Sequence, residues 1–376
     1  MWLKRLIFCA LAAIQISGTA QNANVLKEII HKDSLDIKYK KVFENHSKYH
    51  LQVIYTQITR DSANRPHLKK FSLYPSTAKY YYPASLVKLP LVAMALEKID
   101  SLNAIVHITK DTRVCVDSAH MCQTRESRDS LAETGYPSIA QYIKRMLLVS
   151  DNTAYNRIYE FLSPAYINSR LNRLGYKNAI VNQRFNINCD STFNRYTNPF
   201  LFLNMDSTII YAQPPDSNLN PIVNKAQNTK VGKGFMDKNN KLKPPRDFRH
   251  NNYIPFADEN DILLSIIFPK TVAPSKRFKL NKDDYKFLYK YMGMLPRESD
   301  CPFYNRKDFP DNFKKYIYFG KTDTITDTNV RSLNIVGRAY GFLADCSYII
   351  DLNTGSEYCL SVLIYVNEKD ILNTGK

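Results

Sequence analysis

The chain has 376 residues, with 52 Lys+Arg against 35 Asp+Glu for a formal net charge of +17, 44% hydrophobic residues, 11 Gly and 18 Pro. That apolar fraction over this length excludes wholesale disorder and admits two domains or one large composite domain. Sparse glycine, with no G-x-y period and no repeat of about 20 to 50 residues, excludes collagen-like and solenoid chains, while the surplus of positive charge bears on encounter and names no partner.

In chain order, Lys4 and Arg5, the apolar stretch Leu6 to Ile14 and the small residues Gly18-Thr19-Ala20 read as a signal peptide over residues 1–20. The apolar run is shorter than the roughly 20 residues that span a bilayer. No later segment is long and apolar enough, so the mature protein is expected to be secreted or periplasmic, with no integral membrane segment. Export leaves Cys115, Cys122, Cys189, Cys301, Cys346 and Cys359 in an oxidising compartment. Cys346 and Cys359 fall on two expected neighbouring strands and are read as a bridge, the other reading being two small buried hydrophobes.

Residues 25 to 45 carry helical spacing in Leu26, Ile29, Ile30, Tyr39, Val42 and Phe43. His50 to Ile58 alternates as a half-buried strand, and a turn at Asp61 to Pro66 leads to a second strand at Leu68 to Tyr74. Helices are predicted at Leu86 to Ile99, Ile139 to Leu148, Ala154 to Phe161 and Pro164 to Leu174, with a polar break at Ser150 to Asn152. Asp206 to Phe256 is polar and aperiodic, an elaborated surface segment. Helices at Glu259 to Phe268 and Lys282 to Met294 follow, then strands at Tyr316 to Gly320, Tyr340 to Asp351 and Glu357 to Val366. The pattern predicts an α/β plus all-α fold: an antiparallel sheet domain built from residues 21–84 and 305–376, flanked by helices, with a helical domain inserted at 85–304.

Two Ser-x-x-Lys sequences occur, at Ser76 to Lys79 and at Ser85 to Lys88. Ser76 precedes Tyr80-Tyr81-Tyr82-Pro83, which does not continue as a helix. Ser85 opens a strongly apolar helix, so the i, i+3 spacing places Lys88 on the same face one turn along. A lysine brought toward neutrality by burial can take the proton of a serine nucleophile, and a helix N-terminus favours a developing oxyanion. Pro90 removes a donor near the helix start and points to an irregular first turn. Taken alone, Ser85 could be an ordinary helix cap and Lys88 a solvated first-turn residue. Ser150-Asp151-Asn152, the sole Ser-Asp-Asn in the chain, could likewise be only a cap for the next helix. Their ordered pairing is what points to a site.

These segments, Tyr82-Pro83-Ala84-Ser85-Leu86-Val87-Lys88-Leu89-Pro90 and Leu148-Val149-Ser150-Asp151-Asn152-Thr153-Ala154, resemble the serine β-lactamase and penicillin-binding protein superfamily, and class A β-lactamases above all. The resemblance implies that Ser85 is the acylated nucleophile, Lys88 its base, Ser150 the proton relay to the leaving nitrogen, and Asn152 a partner of the substrate amide and of Lys88. It implies an oxyanion hole made by the Ser85 N–H and one from a facing strand near Thr324. The third family motif, Lys-Thr-Gly, has two candidate registers. Lys321-Thr322-Asp323 keeps the cation that would bind a substrate carboxylate and is preferred, with Asp323 adding a negative charge that opposes anionic substrates. Ile335-Val336-Gly337 keeps only the glycine. Where class A enzymes carry the deacylating glutamate, Gln183-Arg184-Phe185-Asn186-Ile187-Asn188 offers Asn186, an amide that cannot act as a base.

The resulting expectation is an exported serine hydrolase or acyltransferase that forms an acyl-enzyme on Ser85 with a β-lactam or a peptidoglycan-derived peptide and deacylates slowly. The alternative is a catalytically impaired binding protein of the cell envelope with the same fold. A monomer is expected, with no nucleic-acid partner. The seven histidines show no metal-ligand spacing, so neither metal nor cofactor is expected. The chain stops soon after its last strand, without the C-terminal helix that closes one face of such folds, so either the sequence is truncated there or that face is covered by residues 25 to 45.

Overall fold

Both ends of the chain contribute strands to one five-stranded sheet. The structure is a computed structural model that describes residues 26–28, 37–76, 79–187, 189–219, 223–224 and 226–374, so the expected signal peptide lies outside the described residues, as do Ile29 and Ile30. After helix α1 (Ile37–Glu44), strands β1 (Gln52–Arg60) and β2 (Pro66–Leu73) form a hairpin. Its turn is held by Asp61, whose carboxylate accepts the N–H groups of Ala63 and Arg65. A 3₁₀ turn at Ala84–Val87 runs into α2 (Lys88–Val106), followed by β3 (Arg113–Val116), α3 (Ile139–Val149), α4 (Asn152–Leu162) and α5 (Pro164–Arg173).

Strand β4 (Phe200–Leu203) pairs with β3, and the polar stretch then yields short strands: β5 (Ile209–Gln213) on β4, and the ribbons β6 (Lys230–Val231), β7 (Gly234–Met236), β8 (Leu242–Lys243) and β9 (Arg246–Asp247). Helices α6 (Phe256–Ile267) and α7 (Lys282–Gly293) lead to the meander β10 (Val330–Ala339), β11 (Phe342–Asp351) and β12 (Glu357–Tyr365), and β13 (Ile371–Leu372) pairs with β7. The main sheet runs β10-β11-β12-β1-β2, with every pair antiparallel.

The sheet is covered on both faces. Ile54, Cys346 and Leu363 join the main core with α2, while Tyr55, Phe71, Ile349 and Tyr358 form a second cluster on the opposite face. Leu26 and Phe43 pack into that second cluster, so the N-terminal segment does cover this face of the sheet. Leu89, Leu91, Val92, Ala93, Met94 and Leu96 are all buried, which makes α2 a core helix apolar on every side. Pro90 sits in its first turn, where a missing N–H costs little, and the irregular start expected there is the 3₁₀ turn Ala84–Val87.

Two expectations need correction. Tyr316 to Gly320 is a turn, and the first strand of the meander is β10, which falls within the stretch read as a connection. Its buried positions include Ser332 and Asn334, so the apolar alternation that marks a half-buried strand is absent. The disulfide joins Cys122 to Cys189, while Cys346 and Cys359 are both buried free thiols. Cys346 pairs with Ser361 and Cys359 with Tyr348, which makes the two cysteines diagonal neighbours. Such neighbours lie about 7–8 Å apart, beyond ordinary disulfide reach.

Candidate active site

The site is built where the 3₁₀ turn enters α2. Ala84 adopts φ 48°, a left-handed conformation that a non-glycine residue holds only when its surroundings impose it. Ser85 follows, half-buried, and Lys88 one turn later is 0% exposed. The Lys88 Nζ donates to Ser150 Oγ at 3.0 Å, to Asn152 Oδ1 at 2.8 Å and to the Ser150 carbonyl. Burial pulls the Lys88 amine down to about 7, with Asp151 opposing the shift and the charge of Lys314 adding to it.

The link between α3 and α4 holds the partners of Lys88 in place. Ser150 is the C-cap of α3 at φ 59°, and Asp151 caps α4 by accepting the Ala154 N–H at 2.9 Å. Asp151 also accepts from Arg145 at 3.0 Å, and Arg145 reaches Asp129 at 3.1 Å. Ser150-Asp151-Asn152 is therefore a capping link and a set of site residues at once: the two caps turn the chain so that Ser150 and Asn152 both face Lys88.

Aromatic rings stand on another side of the amine. The Phe185 ring is stacked on Tyr155 at 4.3 Å, and Lys88 Nζ lies 5.6 Å from the first centroid and 5.9 Å from the second. Asn156 clamps Phe185 by bonding both its N–H, at 2.7 Å, and its carbonyl, at 2.8 Å. Asn186 follows at φ 53°.

The strand against the serine turn is β10. A Cβ built on Gly337 would lie 2.2 Å from the Pro83 carbonyl oxygen and 3.0 Å from Leu86, so only glycine permits this approach.

Residues 38–212 match the model of the β-lactamase enzyme family, and that span holds Ser85, Lys88, Ser150 and Asn152. Over that stretch the chain is similar to the β-lactamase enzyme family. No curated protein sequence matches the chain. Among solved structures, a β-lactamase from Burkholderia ambifaria is 12% identical, with 88% of this chain and 91% of that one covered and a TM-score of 0.45. A class A β-lactamase from Clostridium kluyveri is 13% identical over 90% and 93%, with a TM-score of 0.42. A β-lactamase from Xanthomonas campestris is 11% identical over 87% and 88%, with a TM-score of 0.46.

In this site, Lys88 is hydrogen-bonded to both Ser150 and Asn152 one helical turn from Ser85. Lys321, Thr322 and Thr324 are placed differently from the expectation. They lie on a turn before β10, with Lys321 and Thr324 exposed and Thr324 Oγ1 3.5 Å from Arg306. The preferred Lys321-Thr322-Asp323 register is thus off the sheet, and the strand beside the Ser85 turn carries Ile335-Val336-Gly337, the register that keeps only the glycine. Sequence reasoning also passed over Phe185 as a wall beside Lys88, and Lys314, whose neighbourhood no local motif announces. No helix among the described residues is long and apolar enough to cross a membrane, and no group of His, Cys, Asp or Glu among them could hold a metal ion.

Proposed function

We propose that the chain is an exported serine acylase of the β-lactamase family that forms a long-lived acyl-enzyme on Ser85 with β-lactams or peptidoglycan-like peptides. The observation that carries this is Lys88: fully buried, held by Ser150 and Asn152 three residues past a serine at a helix start, and drawn to about 7 by that burial. A lysine in that state takes a proton at neutral pH.

Ser85 Oγ attacks the amide carbonyl carbon and passes its proton to the Lys88 amine. The oxyanion is held by the Ser85 N–H and by the β10 backbone beside Gly337. The C–N bond then breaks, the leaving nitrogen receives a proton through Ser150, and the acyl group remains as an ester on Ser85. Release requires an activated water. Asn186 has no basic group to supply it, and Phe185 with Tyr155 presents apolar surface beside Lys88, so the ester persists.

Intact-mass analysis after incubation with benzylpenicillin reads this directly: a stoichiometric adduct, absent from Ser85→Ala, with nitrocefin turnover well below the usual enzyme range of about 1–1000 per second. The second reading, a binding protein without acylation, draws on Ile335 and Val336 standing where a cation and a hydroxyl were expected, and is favoured by a protein that never acquires the adduct. Export is supported by the Cys122–Cys189 disulfide, and Edman sequencing of the secreted protein should begin at Gln21.

A further inference from the structure

A cavity of about 910 Å³ lies at the β2 edge of the sheet, the edge opposite β10 and the Ser85 turn that β10 touches. β1 contributes Thr56 to its lining, β2 contributes Leu68 and Lys70, and α6 contributes Asp258, Asp261 and Leu264. The chain just after α5 adds Leu174, and the turns after α6 add Lys270 and Lys276. A cavity of this size falls in the range of ligand sites, about 300–1,000 Å³.

Several charged groups around it satisfy one another. Lys70 bonds Asp261, while Arg65 and His67 both turn to Asp61, at 2.7 and 3.5 Å. What is left unmatched has a definite chemical character. Thr56 is 0% exposed and its Oγ1 has no hydrogen-bond partner, a costly state for a buried hydroxyl. The half-buried Asp258 carboxylate meets no hydrogen-bond donor among the described residues, and burial together with the Asp261 charge pushes it up to about 6, with Lys70 opposing. Lys270 and Lys276 are exposed, and their amines have no ion-pair partner among the described residues.

These leftovers are complementary to a zwitterion. An ammonium group gives Asp258 and Thr56 the donors they lack, a carboxylate takes the two lysines, and Leu68, Leu174 and Leu264 offer apolar surface in the same cavity. An inorganic anion would leave Asp258 and Thr56 unmatched, a metal ion would leave the lysines so, and a single amino acid would leave most of the volume empty. We infer that this cavity binds a short peptide with free termini, its ammonium held by Asp258 and Thr56 and its carboxylate by Lys270 and Lys276. The site stands at the far edge of the sheet from Ser85 and does not depend on acylation there.

The test uses the full-length mature protein carrying Ser85→Ala, so that no peptide is consumed at that serine. Calorimetry with the tripeptide Ala-Leu-Ala should show saturable binding with a Kd of about 1 mM or tighter. N-acetylation of the peptide, or Asp258→Asn in the protein, should weaken binding roughly 10- to 100-fold, the range for a hydrogen bond to a charged group. A C-terminal amide should weaken it as well, and Lys270→Gln with Lys276→Gln should erase the difference between acid and amide. Thr56→Val separates a ligand role from a structural one: its hydroxyl has no partner in the free protein, so the denaturation midpoint should hold or rise while peptide affinity falls roughly 2- to 10-fold. No saturable binding up to about 10 mM, equal affinity for the free and acetylated peptides, or binding that survives both Asp258→Asn and Thr56→Val overturns the inference. The acetylated and amidated peptides need no variant, so they decide should Asp258→Asn fail to fold. Peptide binding of this kind in a wild-type protein that never acquires a penicillin adduct refutes acylation while sustaining the peptide site, and an adduct without peptide binding does the reverse.

Discussion

Lys88 shows how much one buried side chain settles. On an exposed helix turn it would be a solvated cation near 10.4 and useless as a base at pH 7; within α2 it loses water on every side and keeps Ser150 and Asn152 as partners. With its amine drawn to about 7, the sign for catalysis is clear. The reactive form is the neutral amine, so the rate of Ser85 acylation should rise as pH climbs through about 7 and then level, a profile measurable by rapid-quench mass spectrometry. Lys88→Met should cost roughly 100- to 10,000-fold in that rate, the usual worth of a positioned base. Ser85, Lys88, Ser150 and Asn152 were legible because their spacing is local: helical geometry relates Ser85 to Lys88, and two caps define the Ser-Asp-Asn link. Phe185 was not legible as a wall beside Lys88, because its stacking on Tyr155 at 4.3 Å is set by residues distant in sequence.

At the scale of elements, the helices around the site were readable and β10 was not. α2 shows itself by an apolar run, α3 by Ser138, whose side chain accepts the Gln141 N–H, and α4 by Asp151. β10 instead buries Ser332 and Asn334, and Asn334 bonds Asp345 at 2.9 Å and the Lys314 carbonyl at 2.6 Å. A strand whose inward positions are polar lacks the period-two apolar signature. The same strand presses on the Ser85 turn through Gly337, where any side chain meets backbone. Gly337→Ala should lower stability by about 1–3 kcal/mol, the usual cost of overpacking, and should slow adduct formation, because it displaces Pro83 and with it Ser85. Chemical denaturation and adduct kinetics on the one variant check both effects.

For the whole molecule, the Cys122–Cys189 disulfide closes a separation of 67 residues that contains α3, α4 and Phe185. Reducing it should cost about 2–4 kcal/mol of unfolding free energy, read as a shift in denaturant midpoint with and without reductant. The sequence alone determined the class of molecule: terminal strands around helices, a serine and lysine on one helix turn, and a Ser-Asp-Asn link between two caps. Those features depend on neighbours within a few residues, and local periodicity records them. Tertiary structure alone decided which cysteines join, which strand lies against Ser85, and that Lys321 stands on an exposed turn off the sheet. Each of these depends on strand order and on which polar groups find partners across the fold, and a buried charge or a close glycine contact comes into being only when distant segments meet.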